Sequence, residues 1–218
     1  MNDFELLAIS FEDWGLTRYR DAFNRQQEKV LMRRDEKVGD TLIFTEHYPV
    51  YTIGVSRDAH RNILWNEEQL KQRGIEVVET NRGGDVTYHG PGQLVGYIVV
   101  KLDKSQHLHS FLRFWEQILI DALAQLGIQA GRREGKTGVW IGTKKIAAMG
   151  IAVKHGITYH GFAINVFNDL SSFNGIVPCG IPLTEGSVTS ITEELGKSIE
   201  IDTVKSLIMK VCSIVKTV

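Results

Sequence analysis

Asn81–Gln93, NRGGDVTYHGPGQ, runs without a break into Leu94–Leu102, LVGYIVVKL. Four glycines (Gly83, Gly84, Gly90 and Gly92) among polar side chains fit no regular element, because glycine loses the most backbone freedom on ordering. The stretch therefore reads as a loop that feeds a mostly apolar strand. Working outward, Ile75–Glu79 reads as a strand before it. Residues 107–126 form the clearest helix: Phe111, Phe114, Trp115, Ile118, Leu119, Ala122, Leu123 and Leu126 recur at three- and four-residue steps, and Gly127 closes it. Strand, glycine loop, strand and amphipathic helix in succession make this a mixed α/β chain.

The flanks fill in the rest. Phe4–Ile9 reads as a short strand, with a helix opening at Asp13 or the turn after it. Residues 16–34 look helical, with Tyr19, Phe23 and Val30 on one stripe. Val38–Asp40 breaks that helix, Thr41–Thr45 is a strand, Pro49 interrupts it, and Val50–Val55 resumes extended structure. Residues 66–73 form a short helix with Asn66 as N-cap and Gly74 just past its end. Gly138–Ile141, Lys145–Lys154 and Ile157–Phe167 read as three strands of an antiparallel meander, joined by tight turns at Gly142–Thr143 and His155–Gly156. Residues 173–190 are loop and 202–216 a closing amphipathic helix. No repeat, low-complexity tract or linker interrupts the chain, so residues 1–218 are expected to form a single domain.

Composition narrows the function. The 218 residues are 43% hydrophobic and 23% charged, which excludes a disordered chain. Lys+Arg 25 against Asp+Glu 26 leaves a formal charge of -1 and argues against a nucleic-acid binder. Two cysteines without a CxxC pair point to a reducing cytoplasm. No stretch approaches the roughly 18 apolar residues of a membrane span. Met1–Ile9, with Asp3, Glu5 and no basic residue, resembles neither a secretory signal nor a transit peptide.

Several candidate motifs carry little chemistry. Ala130–Thr137 (AGRREGKT) satisfies a relaxed phosphate-loop pattern, but a strand follows where the phosphate would need a helix N-terminus. It reads as an exposed basic turn. His107 with His109, and His155 with His160, lack acidic partners at zinc-ligand spacing. Cys212, between Val211 and Ile214, reads as a small buried hydrophobe. Cys179 differs, because it stands in Val177–Pro178–Cys179–Gly180. Proline fixes the approach and glycine leaves an amide accessible, the setting a nucleophilic thiol needs. Its activating partner is open at this level: His89, His160 and Lys145 all qualify. Strand alternation puts Lys144 and Lys145 on opposite faces, and spacing alone does not choose the inner one.

These residues resemble the lipoyl(octanoyl) transferases of the biotin/lipoate protein ligase superfamily. Arg82–Gln93 (RGGDVTYHGPGQ) is similar to that family's signature loop. Lys145–Gly150 (KIAAMG), His160–Asn165 (HGFAIN), and Pro178–Ile181 (PCGI) followed by Val188–Ser190 match its lysine strand, the next strand and its nucleophile loop. Glu46–Gly54 fits a less specific upstream block. Two departures stand out: Ile98 in place of an expected proline, and a longer spacer over Pro182–Ser187. The resemblance implies an α+β fold with a mixed sheet flanked by helices and a smaller second sheet. It implies octanoyl transfer from octanoyl-acyl carrier protein to a lysine of lipoyl domains, those of 2-oxoacid dehydrogenase complexes or the glycine cleavage H protein. Cys179 would carry the acyl thioester and Lys145 would activate it. Arg82, Gly83, Gly84, Asp85, Val86, Thr87, Tyr88, His89, Ala148, Met149, Gly150, Gly161, Phe162 and Ala163 would line the acyl site. Neither ATP nor a metal is implied, and the working form is expected to be a monomer without nucleic-acid or membrane partners. Arg132, Arg133, Lys136 and Lys144 form either a docking patch for the acidic carrier protein or a solvated basic turn.

Overall fold

The structure, a computed structural model, describes residues 9–103, 107–177 and 186–215. β1 (Ile9–Thr17) leads into α1 (Tyr19–Arg34), then β2 (Asp40–His47) and β3 (Val50–Ile53). α2 (Glu67–Gln72), β4 (Glu76–Glu79), β5 (Thr87–His89) and β6 (Gln93–Val99) follow. α3 (Leu108–Ala124) precedes β7 (Val139–Ile141), β8 (Lys144–Lys154) and β9 (Ile157–Asn165). After a 3₁₀ turn at Leu170–Gly175 come β10 (Ser187–Val188), α4 (Ile191–Leu195) and α5 (Ile201–Val215).

Among the described residues the strands form two sheets. The larger has the order β1-β2-β6-β9-β8-β10, with β7 also paired to β8; the smaller has the order β4-β3-β5. The larger sheet is mixed, because β1 and β10 join their neighbours in parallel while the strands between pair antiparallel. Its central strands are apolar on both faces because helices cover both. Leu42, Phe44, Leu94, Ile98 and Ile164 meet the Phe111–Leu123 stripe of α3 and Val204, Ile208 and Cys212 of α5. Ile43, Val95, Val99 and Tyr159 face Ala22 and Val30 of α1. Each fully buried aliphatic or aromatic side chain contributes about 1.5–3 kcal/mol, so these two layers dominate the stability. Ile98 is fully buried on β6 opposite Leu42, and packing explains its presence there.

The local signals for α2 are realised in full: Asn66 accepts from the Gln69 amide while Gln69 accepts from the Asn66 amide, a reciprocal cap. The N-terminal reading needs correction. The strand begins at Ile9 and runs to Thr17, and α1 starts at Tyr19, whereas residues 4–8 lie outside the described residues. A register shift between Asp13 and Leu16, with Gly15 at φ +62°, breaks the alternation that would have marked Trp14–Leu16 as strand. The glycine-rich loop also contains β5, and residues 173–190 include the end of the 3₁₀ turn and β10.

Candidate active site

β8 and β9 supply the floor of the site. Alternation separates the two lysines as expected: Lys144 is exposed and pairs with Glu194 at 3.3 Å, whereas Lys145 is only 8% exposed. The Lys145 ammonium sits 4.7 Å from the centroid of the Trp140 ring. Lys145 is the sole lysine among the buried polar residues described. Its strand also holds β10, since Val188 pairs with Lys145 and the Thr189 amide donates to the Lys145 carbonyl at 3.0 Å. On the other side, the Val177 amide donates to the Asn62 carbonyl at 2.8 Å. Cys179 and the rest of residues 178–185 lie outside the described residues.

A groove opens where the small sheet meets the α1 face of the large one. Ala148, Met149 and Gly150 of β8 and Gly161, Phe162 and Ala163 of β9 line it, together with Arg82, Gly84, Asp85, Thr87 and His89. The register Ala148↔Ala163 and Gly150↔Gly161 brings the two distant blocks side by side. A Cβ on Gly150 would lie 2.6 Å from the Gly83 carbonyl, and one on Gly161 would overlap the Gly96 carbonyl. These glycines are small because backbone passes over them.

Three of the residues expected at the acyl site face elsewhere. Val86 and Tyr88 alternate with Thr87 and His89 along the strand, so their side chains enter the core of the small sheet with Tyr51 and Phe173. Gly83 hydrogen-bonds through its amide to the Ile151 carbonyl at 3.2 Å and is not among the residues lining the groove. Gly92 turns the chain at φ +83°, with no room for a Cβ beside Asn168, so it serves the fold rather than an acyl tunnel.

The loop is fixed by polar groups. The Arg82 guanidinium donates to the Thr52 carbonyl at 2.7 Å and to its hydroxyl at 3.0 Å. Asp85 accepts from the Asn62 side chain at 2.7 Å and from the Val86 amide. His89 pairs with Gln93 at 2.7 Å on one nitrogen and Thr52 at 3.3 Å on the other. Gln93 donates to Asn165 at 2.9 Å, and Asn165 donates to the Thr189 carbonyl at 2.9 Å, so a buried chain connects His89 to the strand beside Lys145.

Several groove residues carry little signature in the sequence. Tyr19, read as core from its helical stripe, lines the groove, and so do Tyr97 and His160. His160 has φ +58° and its Nε2 bonds Asn81 at 2.9 Å. His47 bonds the Tyr97 hydroxyl at 2.6 Å. Burial dominates their titration: it pulls His47 down to about 4, His160 down to about 3 with help from the Arg82 charge, and His89 well below its ordinary value. Burial likewise pushes Tyr19 up to about 12. At neutral pH the three imidazoles are uncharged and weakly basic.

The basic turn is held by its own acid. Glu116, fully buried on α3, accepts from Arg113 at 2.7 Å, Arg132 at 3.2 Å and the Gly138 amide at 2.8 Å. With Lys144 paired to Glu194 and Arg133 over the Trp140 ring, this segment is structural as well as basic. No helix follows Ala130–Thr137, only β7, and Cys212 is fully buried in the main core. Among the described residues no group of three or more His, Cys, Asp or Glu is placed to hold a metal ion, and no helix is long and apolar enough to cross a membrane.

Comparison with known proteins matches residues 18–213 to the family described as the lipoyl protein ligase A/B catalytic domain. An octanoyltransferase of Flavobacterium johnsoniae is 42% identical over 220 residues, covering 93% of this chain and 94% of that protein. One from Rubrobacter xylanophilus is 48% identical over 187 residues, covering 85% and 83%. The bipartite lipoate protein ligase of Thermoplasma acidophilum, studied with its E2 lipoyl domain, has a similar fold: TM-score 0.72 at 18% identity, over 96% of this chain and 84% of that one. A lipoate-protein ligase A bound with ATP gives 0.71 at 21% identity, over 99% and 85%.

Proposed function

The chain belongs to the lipoyl protein ligase A/B catalytic domain family, and from that premise we propose that it moves an octanoyl group from octanoyl-acyl carrier protein to a lipoyl-domain lysine through a thioester on Cys179. That it is an acyltransferase of protein lipoylation follows from its octanoyltransferase relatives. The observation that carries the finer reading is Lys145: buried, beside the groove, and on the strand that receives the chain returning from the PCGI segment.

The chemistry divides into two transfers. The Cys179 thiolate, stabilised by the Lys145 ammonium, attacks the donor thioester carbon, and the departing donor thiolate takes its proton from that ammonium, which leaves Lys145 a neutral amine. Thioester exchange is nearly balanced, so this half needs neither ATP nor a metal. The acceptor amine then attacks the acyl-enzyme, the Cys179 sulfur leaves, and Lys145 takes the proton from the new amide nitrogen. The amide is the more stable product and drives the sequence forward. Burying the acyl chain at about 0.8 kcal/mol per CH₂ offers roughly 5–6 kcal/mol for choosing an eight-carbon chain.

Intact-protein mass spectrometry after mixing the protein with octanoyl-acyl carrier protein, without ATP, tests this. An octanoyl adduct should map to Cys179 and disappear when a lipoyl domain is added. Acceptor modification only with ATP and free octanoate would instead establish a ligase.

A further inference from the structure

Lys145 borders a second space in addition to the groove. A cavity of about 300 Å³ lies on its Trp140 side, walled by Trp140, Leu170, Phe173 and Val188. A narrow passage shares Lys145, Phe173 and Val188 with this cavity, and Thr87, Ala148 and Ala163 with the acyl groove. Lys145 thus borders both the cavity and the passage, and the passage in turn adjoins the groove. An octanoyl thioester whose carbonyl lies beside Lys145 must leave in two directions, one toward the hydrocarbon and one toward the sulfur.

We propose that the cavity on the Trp140 side receives the arm bearing the donor thioester, a chain of the pantetheine type in which methylenes alternate with secondary amides. This deepens, and rests on, the octanoyl-transfer reading above. The two ends differ in the chemistry they offer. In the groove, Arg82 and His89 are engaged with other protein groups, leaving Ala148, Gly150 and Gly161 as walls suited to hydrocarbon. The cavity pairs its apolar walls with Ser171, Asn174, Ser187 and Glu193: Ser171 donates to Asp169 and Glu193 accepts from the Thr189 hydroxyl, whereas the exposed side chains of Asn174 and Ser187 have no hydrogen-bond partner among the described residues. A side-chain amide and a hydroxyl on an apolar slot suit an arm that carries amides on methylenes. The acceptor's amine suits it less, because the Trp140 face that would attract a cation is already covered by the Lys145 ammonium.

The test measures kcat/KM for octanoyl-pantetheine and for the shorter octanoyl-N-acetylcysteamine thioester, with a lipoyl domain as acceptor. Wild type should prefer the longer arm. Asn174→Trp should lower the long-to-short ratio at least tenfold, and Asn174→Leu, which keeps the volume and removes the amide, about fivefold. The acceptor KM should stay within twofold. An unchanged ratio in either folded variant, or a rise in the acceptor KM instead, overturns the assignment; should the tryptophan variant fail to fold, the leucine variant decides. Wild type that turns over neither thioester would overturn the octanoyl-transfer reading itself, a result distinct from loss of selectivity.

Discussion

Two glycine-rich stretches, each opening on arginine within a few residues, look alike on paper and differ in what stands behind them. Arg82–Gly92 lies across β8, where the Gly83 amide bonds the Ile151 carbonyl and the Gly83 backbone passes over Gly150. Ala130–Thr137 turns beside α3 at Arg113 and Glu116, and a Cβ on its Gly131 or Gly135 would meet nothing within 4 Å. In the first stretch glycine permits close approach, and in the second it mainly permits a turn. Close approach gathers His89, His160 and Arg82 around a groove beside Lys145, with His47 packed behind His89. The turn gathers two arginines around the single buried carboxylate of Glu116. Composition does not separate these roles, because the difference lies in the neighbours from other parts of the chain.

The sharpest way to break the contrast is a pair of lysines. Lys145→Met should lower kcat for octanoyl transfer by about 10²–10⁴-fold, the range of a general acid–base group, with the fold retained by circular dichroism. Lys136→Met in the basic turn should leave transfer within twofold. Comparable losses would remove the distinction between the stretches.

Acid offers the next largest effect. The groove histidines have folded pKa values depressed by burial, with His47 at about 4 and His160 at about 3, so the unfolded chain binds more protons between those values and about 6.5. Their contribution to stability is complete above about 6.5 and declines as pH falls. The unfolding free energy from urea titrations should therefore drop by up to about 1.4 kcal/mol per pH unit for each histidine. His47→Gln should flatten that slope, and an unaltered slope would show that His47 is not the group responsible.

Glycine substitutions separate the two stretches' packing directly. Gly150→Ala forces a methyl group to within 2.6 Å of the Gly83 carbonyl and should cost about 1–3 kcal/mol in chemical denaturation. Gly131→Ala should fall within about 0.5 kcal/mol of wild type. A more modest loss than for Gly150→Ala is expected at the turn's own anchor. Glu116→Gln keeps one acceptor for the Gly138 amide while loosening two arginines that are about a third exposed, and should cost about 1–2 kcal/mol. A larger loss than for Gly150→Ala would make the turn the more tightly built of the two regions.

Much of this was legible beforehand where signals are local. The α3 stripe, the Asn66 cap, the β7–β8–β9 meander and the opposite faces of Lys144 and Lys145 follow from periodicity within one segment. β1 was misplaced because a bulge at Asp13–Leu16 breaks its alternation. Val86 and Tyr88 were assigned to the acyl site because the motif was taken as a block, although every second side chain of a strand faces the other way. The helical stripe marks Tyr19 only as buried, and what makes it a groove residue is its stacking on His89 of β5; nothing local marks His47 as the partner of Tyr97 on β6.

The sequence by itself determined the class of fold, the family and the lysine on the inner face of its strand, because periodicity, capping and motif spacing are written along the chain. Tertiary structure alone decided which glycines are pressed by backbone, which histidines are stripped of water and neutral, and that Lys145 stands between two spaces. Those properties arise from residues far apart in sequence. Packing density and desolvation belong to the neighbours a residue acquires on folding.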